Sequence, residues 1–176
     1  TQGWDITFSS PAALGEHKAD LLALGIAECA IELNNSSFDD FIRELAPDIV
    51  LFDRFMMEEQ FGWRVEKCCP NALRVLETCD LQSLRDARQQ RLKNHLKTHP
   101  DSDDFSALFA PALEDEFQLM ADTDVAKREI AAIYRCDINL MISDVEMRLL
   151  TEQFKVPAAL LHWCPLMLEP VTETFV

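Results

Sequence analysis

The stretch DIVLFD, residues 48–53, decides the fold class of this 176-residue chain. Four apolar residues in a row, closed by an aspartate, are typical of a strand that is covered on both faces, as in a parallel sheet. An amphipathic helix is predicted just before it, at 36–45. Its apolar stripe falls at i, i+3, i+4 and i+7 and consists of Phe38, Phe41, Ile42 and Leu45. The stretch therefore predicts a helix followed by a buried parallel strand.

The same alternation of strand and helix continues in both directions. Patterns typical of strands recur at 5–8, 26–33, 72–78, 138–142 and 158–163, and helical patterns separate them. Repeated strand–helix–strand units indicate an α/β protein with a Rossmann-like, mostly parallel sheet and helices on both faces. Residues 98–124 are polar and acidic, and we interpret them as a partly helical insertion.

The first strand of this arrangement is expected to be missing. The chain opens at Thr1 and enters a strand pattern almost at once, with no glycine-rich loop after it. In the usual Rossmann strand order the first strand is central. We therefore expect an unusually exposed or rearranged sheet, or a partner that fills the gap.

Composition and charge exclude several classes of function. The net charge is −15, so the surface repels phosphate backbones and anionic lipid, and we expect no nucleic-acid partner. No apolar run reaches the roughly 20 residues of a transmembrane segment. Six cysteines without a CxxC motif are typical of free thiols, which favours a reducing, cytoplasmic location.

Candidate ligand-binding residues follow the predicted strands, because ligands of open parallel sheets bind at the carboxyl ends of strands. Carboxylates there can accept hydrogen bonds from a polyol, and guanidinium groups can hold an anion. An ion pair or a helix cap is the purely structural alternative for each of them. The candidates are Asp53, Arg54, Thr78, Asp80, Arg85 and Ser143.

Other familiar sites are absent from the sequence. There is no GxGxxG motif, no P-loop and no GxSxG elbow, so we expect no cofactor in this domain. His95 and His99 are four residues apart, but two ligands without a third do not make a metal site, and we expect none.

Three stretches together resemble the amino-terminal domain of bacterial group 1 (family 4-like) glycosyltransferases. They are APDIVLFDRFMMEEQFGWRVEKCCPNALRVLETCDLQSLRDAR (46–88), AKREIAAIYRCDINLMISDVEMRLLTEQFKVP (126–157) and LLHWCPLMLEP (160–170). The family pattern "cD…i.iS..E…L" is matched from Cys136-Asp137 through Ser143 and Glu146 to Leu150. The chain departs from the family where a histidine often follows the strand at 75–78, because Cys79-Asp80 stands there.

The resemblance implies one half of a two-domain GT-B enzyme. Residues 1–170 would form the acceptor-binding domain, and residues 171–176 would begin a linker to a missing carboxy-terminal domain. That missing domain would bind a nucleotide-sugar donor, and the partner of the present domain would be a glycosyl acceptor. The isolated half would be inactive.

Two other functions stay open on the residues alone. One is a non-catalytic Rossmann-like interaction domain. The other is a receiver-like phosphoacceptor domain, since PDIVLFDRFM (47–56) is similar to a receiver strand with Asp53 as its acceptor. The lysine that a receiver carries after its last strand has no counterpart beside Cys164-Pro165.

Overall fold

Parallel strand pairing organises the chain into an α/β, Rossmann-like fold, as the sequence predicts. A computed structural model describes residues 3–12, 19–100 and 112–166. The described strands are Thr7–Ser10 (β1), Ala27–Ala30 (β2), Ile49–Asp53 (β3), Leu73–Glu77 (β4), Ile138–Met141 (β5) and Leu161–Trp163 (β6). The described α-helices are Ser37–Leu45 (α1), Phe55–Cys68 (α2), Gln82–Thr98 (α3), Leu113–Met120 (α4), Asp124–Arg135 (α5) and Asp144–Arg148 (α6). The proposed domain boundary at 170/171 lies outside the described residues.

The chain divides into two units, and the first comprises residues 1–48 and 63–72. Here β1 and β2 form a two-stranded parallel sheet, in register from Thr7 with Ala27 to Ser10 with Ala30. Asp39 of α1 is buried, accepts a hydrogen bond from Arg64 and lies 3.5 Å from the Lys67 Nζ. The hydrogen bond from Arg64 and the two positive charges hold the pKa of Asp39 below its ordinary value.

The second unit comprises residues 49–62 and 73–176, and its described part contains a four-stranded parallel sheet. The strand order is β3-β4-β5-β6, so every strand lies beside its successor in the chain. Asp53 pairs with Glu77, Glu77 with Leu140, and Leu140 with His162. Within the described residues β3 pairs only with β4, which leaves β3 as an edge strand. The strand at Thr7–Ser10 pairs with β2 instead, so the described strands form two sheets rather than one continuous sheet.

The two faces of the four-stranded sheet differ in burial. On the face that we call the covered face, most side chains are buried, namely Phe52, Leu76, Asn139, Met141 and Leu161, whereas Val50 and Arg74 are half-buried and Trp163 at the end of β6 is exposed. Asn139 on this face is linked to the last turn of α5, because its Nδ2 donates to the Ile133 carbonyl at 3.1 Å. On the opposite side, the open face, Val75 is buried, Leu73, Ile138 and Leu140 are half-buried, and Ile49 and Leu51 are exposed. Cover on the open face is therefore incomplete at β3.

Several elements end elsewhere than the sequence patterns predict. The strand expected at 26–33 stops at Ala30. The helical pattern that follows Ser143 does not continue as a regular α-helix, because it changes from α to π geometry at Leu149–Gln153. The strand expected at 158–163 begins with a 3₁₀ turn at Ala158–Leu160. Of the predicted insertion, residues 101–111 lie outside the described part, while α4 and the start of α5 confirm its partly helical character.

Among the described residues, no helix has the length and apolar character needed to cross a bilayer.

Candidate functional site

Parallel strands bring the predicted ligand-binding residues to one edge of the four-stranded sheet, which we call the carboxyl edge. Asp53 is the last residue of β3, Thr78 follows β4 directly, and Ser143 follows β5 after one residue. Because the strands are parallel, their carboxyl ends lie at the same edge of the sheet, where Asp53 pairs with Glu77 and Glu77 pairs with Leu140. The parallel topology therefore places all three positions at the carboxyl edge.

Asp53 and Arg54 are the most accessible charged pair of this edge. The Asp53 side chain is 74% exposed, and its Oδ1 lies 4.0 Å from the Arg54 Nε. The Arg54 backbone has a φ of 69°, and its N–H donates to the Glu77 carbonyl at 2.8 Å. A left-handed conformation is unfavourable for a residue with a Cβ and is enriched at functional sites. It turns the chain sharply at the end of β3 and leaves the Asp53 carboxylate in solvent.

Cys79 repeats this conformation at the end of the neighbouring strand, with a φ of 57°. Its N–H donates to the Glu77 Oε1 at 3.1 Å, and its Sγ lies 3.7 Å from the Asp53 Oδ1. Burial, together with the negative charges of Asp53 and Glu77, raises the pKa of the Cys79 thiol. Cys79 is therefore a neutral thiol that donates weakly to Asp53, and it is not activated as a nucleophile.

Thr78 is held inside the sheet and does not reach the solvent. It is 4% exposed, and its Oγ1 donates to the Leu140 carbonyl at 3.0 Å. This hydrogen bond joins the ends of β4 and β5. The position of Thr78 thus fixes the backbone from which Cys79 and Asp80 project.

Asp80 and Arg85 form an ion pair with each other. The Arg85 Nε donates to the Asp80 Oδ2 at 2.7 Å, and the Arg85 Nη2 makes a second contact with the same carboxylate. The hydrogen bonds and charge of Asp80 raise the pKa of Arg85. Because each charge already has a partner, this pair offers a ligand hydrogen-bonding groups rather than an uncompensated charge.

Ser143 is the N-cap of α6. Its Oγ accepts a hydrogen bond from the Glu146 N–H at 3.3 Å. This is half of the capping box that the Ser-x-x-Glu spacing predicts. The Glu146 side chain does not complete the box, because its Oε1 accepts from the Leu81 N–H at 3.2 Å instead.

Two buried glutamates hold the start of α3, beside the carboxyl edge. Glu129 accepts from the Gln82 N–H at 2.8 Å, the Ser83 N–H at 3.2 Å and the Ser83 hydroxyl at 2.5 Å. Together with Glu146, it satisfies three consecutive amides that an isolated helix start leaves free. Desolvation raises the pKa of both carboxyl groups.

Glu129 is not among the candidate ligand-binding residues that the sequence predicts, although the sequence contains a signal for its burial. Glu129 lies three residues after Ala126 and four before Ile133, and both of these are fully buried in α5. An acid at helical spacing within an apolar stripe predicts a buried, hydrogen-bonded carboxyl group. Cys79 has no comparable signal, since its role depends on the backbone turn after β4.

No three His, Cys, Asp or Glu side chains in the described parts of the chain are grouped so that they could hold a metal ion. The rings of His95 and His99 stack on each other, with their centroids 4.9 Å apart.

No known protein family, no curated protein and no solved structure matches this chain.

Proposed function

We propose that the carboxyl edge binds a hydroxyl-rich glycosyl acceptor, and that the chain is the acceptor-binding half of a GT-B glycosyltransferase. The observation that carries this proposal is the exposed Asp53 carboxylate, held at the end of a parallel strand beside Arg54 and the neutral Cys79 thiol. Ligands of Rossmann-like sheets occupy this edge. The residues of the carboxyl edge support binding of a polar ligand. The sequence resemblance to glycosyltransferases is what indicates that this ligand is a glycosyl acceptor.

The chemistry of the edge suits binding and orientation. A carboxylate accepts hydrogen bonds from hydroxyl groups, and the Asp53 side chain is 74% exposed. Arg54 is half-exposed and adds a donor for an anionic substituent on the acceptor. Asp80 and Arg85 extend the polar surface along the start of α3.

Transfer of the sugar needs a second domain in this proposal. That domain would hold the nucleotide-sugar donor, and the reacting atoms must approach within about 3–3.5 Å of each other. The present chain therefore binds the acceptor without converting it. All six cysteines are free thiols, which supports a reducing, cytoplasmic setting for the enzyme.

Ligand binding is tested with the isolated chain and a set of named probes: glucose, N-acetylglucosamine, glucose 6-phosphate and myo-inositol. We expect at least one probe to shift the amide NMR resonances of Asp53, Arg54 and Asp80. Asp53→Asn should weaken that probe about tenfold or more, since it removes a charged acceptor. Asp40→Asn is the matched control, because Asp40 is an exposed aspartate in an ion pair with Arg43 of α1. Equal loss in both variants, or no shift with any probe, would contradict the proposal.

The half-enzyme part is tested separately by turnover. The isolated chain, incubated with a nucleotide sugar and a bound probe, should release no nucleotide above the rate of a blank. Sugar transfer by residues 1–176 alone would show that no second domain is needed.

The exposure of Asp53 also fits a phosphoacceptor, and one experiment separates the two functions. Incubation with acetyl phosphate would label a receiver-like domain, and Asp53→Asn would abolish the label. We expect no label, because the residues after β6 are Cys164-Pro165 and supply no lysine beside the site.

A further inference from the structure

The open face of the four-stranded sheet presents apolar side chains to solvent at its edge strand. Ile49 is 42% exposed and Leu51 is 55% exposed. Leu73, Ile138 and Leu140 continue the apolar surface across β4 and β5 and are half-buried. Parallel sheets are ordinarily covered on both faces, and contiguous exposed apolar patches mark interaction sites.

The shape of this surface favours a helix over an added strand. The exposed side chains stand on a face that spans β3, β4 and β5, and helices are the elements that pack on the faces of parallel sheets. A strand paired to the free edge of β3 would bind its backbone but would leave Ile49 and Leu51 uncovered. An added strand would therefore bury less of the exposed apolar surface than a docked helix would.

Charge at one end of the open face indicates the character of the helix. Asp53 and Glu77 are register partners and lie on the same face as Leu51 and Val75, because side chains alternate along each strand. Arg54 lies near Asp53 at 4.0 Å and offsets only part of this negative charge. A second copy of the chain would bring another 15 negative charges, which opposes self-association.

We propose that the open face is the docking surface for an amphipathic α-helix of a partner protein. Its apolar stripe would cover Ile49 and Leu51, and lysine or arginine at its border would lie over Asp53 and Glu77. The border of this surface includes Asp53, which the proposed acceptor site also uses, but the apolar contact at Ile49 and Leu51 lies outside the carboxyl edge and does not depend on the chain being a transferase.

Three designed peptides of about 18 residues test the proposal, since that length gives five helical turns. The first carries a leucine stripe bordered by lysine, the second has the same stripe bordered by glutamate, and the third is a scrambled version of the first. We expect the first peptide alone to shift the amide resonances of β3, β4 and β5. Leu51→Asp should weaken it about tenfold or more, because the exposed apolar contact is lost.

Leu119→Asp is the matched control, because Leu119 of α4 is also exposed, at 48%. Both variants add one negative charge, so non-specific attraction of a basic peptide would rise in both. Retained binding in Leu119→Asp and loss in Leu51→Asp would support the open face as the site. Equal binding to both variants, or equal binding of the scrambled peptide, would overturn the proposal.

Two further readouts identify other occupants. Arg54 donates its N–H to β4, so the alternating N–H groups of Ile49, Leu51 and Asp53 point to the free edge of β3. Slowed hydrogen exchange at these three amides would show strand addition and contradict a docked helix. A dimer in sedimentation that Leu51→Asp dissociates would show a second copy on the surface, and Leu51-dependent binding to phosphatidylcholine vesicles would show a membrane. Either result would also contradict the proposal.

Discussion

Glu129 shows how one buried side chain links the start of α3 to pH. The carboxyl group is 3% exposed, and desolvation raises its pKa from the ordinary value of 4.5. The folded state therefore binds the proton more tightly than the unfolded state. The resulting stabilisation is complete below the unfolded pKa and is lost as the pH rises through the folded pKa.

Glu129→Gln should remove this pH dependence, because glutamine stays neutral. We expect the unfolding free energy of the wild type to fall relative to that of the variant as the pH rises from about 4 to about 8. Urea unfolding of both proteins across this range measures the difference. Glu114→Gln, at an exposed acid of α4, serves as the control, and an equal pH dependence there would mean that the effect is not specific to Glu129. If the difference in unfolding free energy between the wild type and Glu129→Gln stays constant across this pH range, the pKa of Glu129 is not raised.

Single residues also mark where sequence patterns stop being informative. The position of Asp53 was predictable, because it closes an apolar run that reads as a parallel strand. The burial of Thr78 was not, because its hydroxyl is bonded to Leu140, 62 positions later in the chain. The left-handed turns at Arg54 and Cys79 could not be predicted, because arginine and cysteine are not residue types that favour this conformation.

At the scale of elements, local periodicity predicted the helices and strands that have strong patterns. The helix predicted at 36–45 is observed at Ser37–Leu45, and the strand predicted at 48–53 is observed at Ile49–Asp53. Errors fall where geometry depends on neighbours, as at the π-helical Leu149–Gln153. The division of the strands into two sheets also follows from strand pairing, which no local pattern encodes.

The start of α6 gives a prediction that separates structural from ligand-binding roles. Ser143 caps this helix, so Ser143→Ala should lower the unfolding free energy by about 1 kcal/mol. Ser143→Asp should restore the stability, because aspartate caps equally well. Urea unfolding measures both effects. If Ser143 also contacts the acceptor, probe binding should remain weakened in Ser143→Asp although the stability is restored. Full recovery of probe binding in Ser143→Asp would show that Ser143 acts only as a helix cap.

For the whole molecule, the charge balance decides how stability responds to salt. The sequence holds 31 acidic and 16 basic residues, so 15 carboxylates have no basic counterpart. Some acids are paired: Glu58 with Arg135 and Glu59 with Arg128 have buried or half-buried carboxylates, whereas the pair of Asp40 with Arg43 is exposed. Exposed pairs each contribute little, whereas the surplus of like charge destabilises every compact state.

Salt should therefore stabilise this protein, since screening weakens the repulsion among surplus carboxylates more than it weakens the ion pairs. We expect the thermal unfolding midpoint at neutral pH to rise between about 20 and about 200 mM sodium chloride, as the Debye length shortens to roughly 7 Å. The same salt series at a pH near the isoelectric point of 4.5 is the control, because the surplus charge is absent there and the effect should vanish. A midpoint that falls with salt at neutral pH would mean that ion pairs such as Glu58–Arg135 dominate the electrostatic balance, and that the acidic surface is not a net cost to folding.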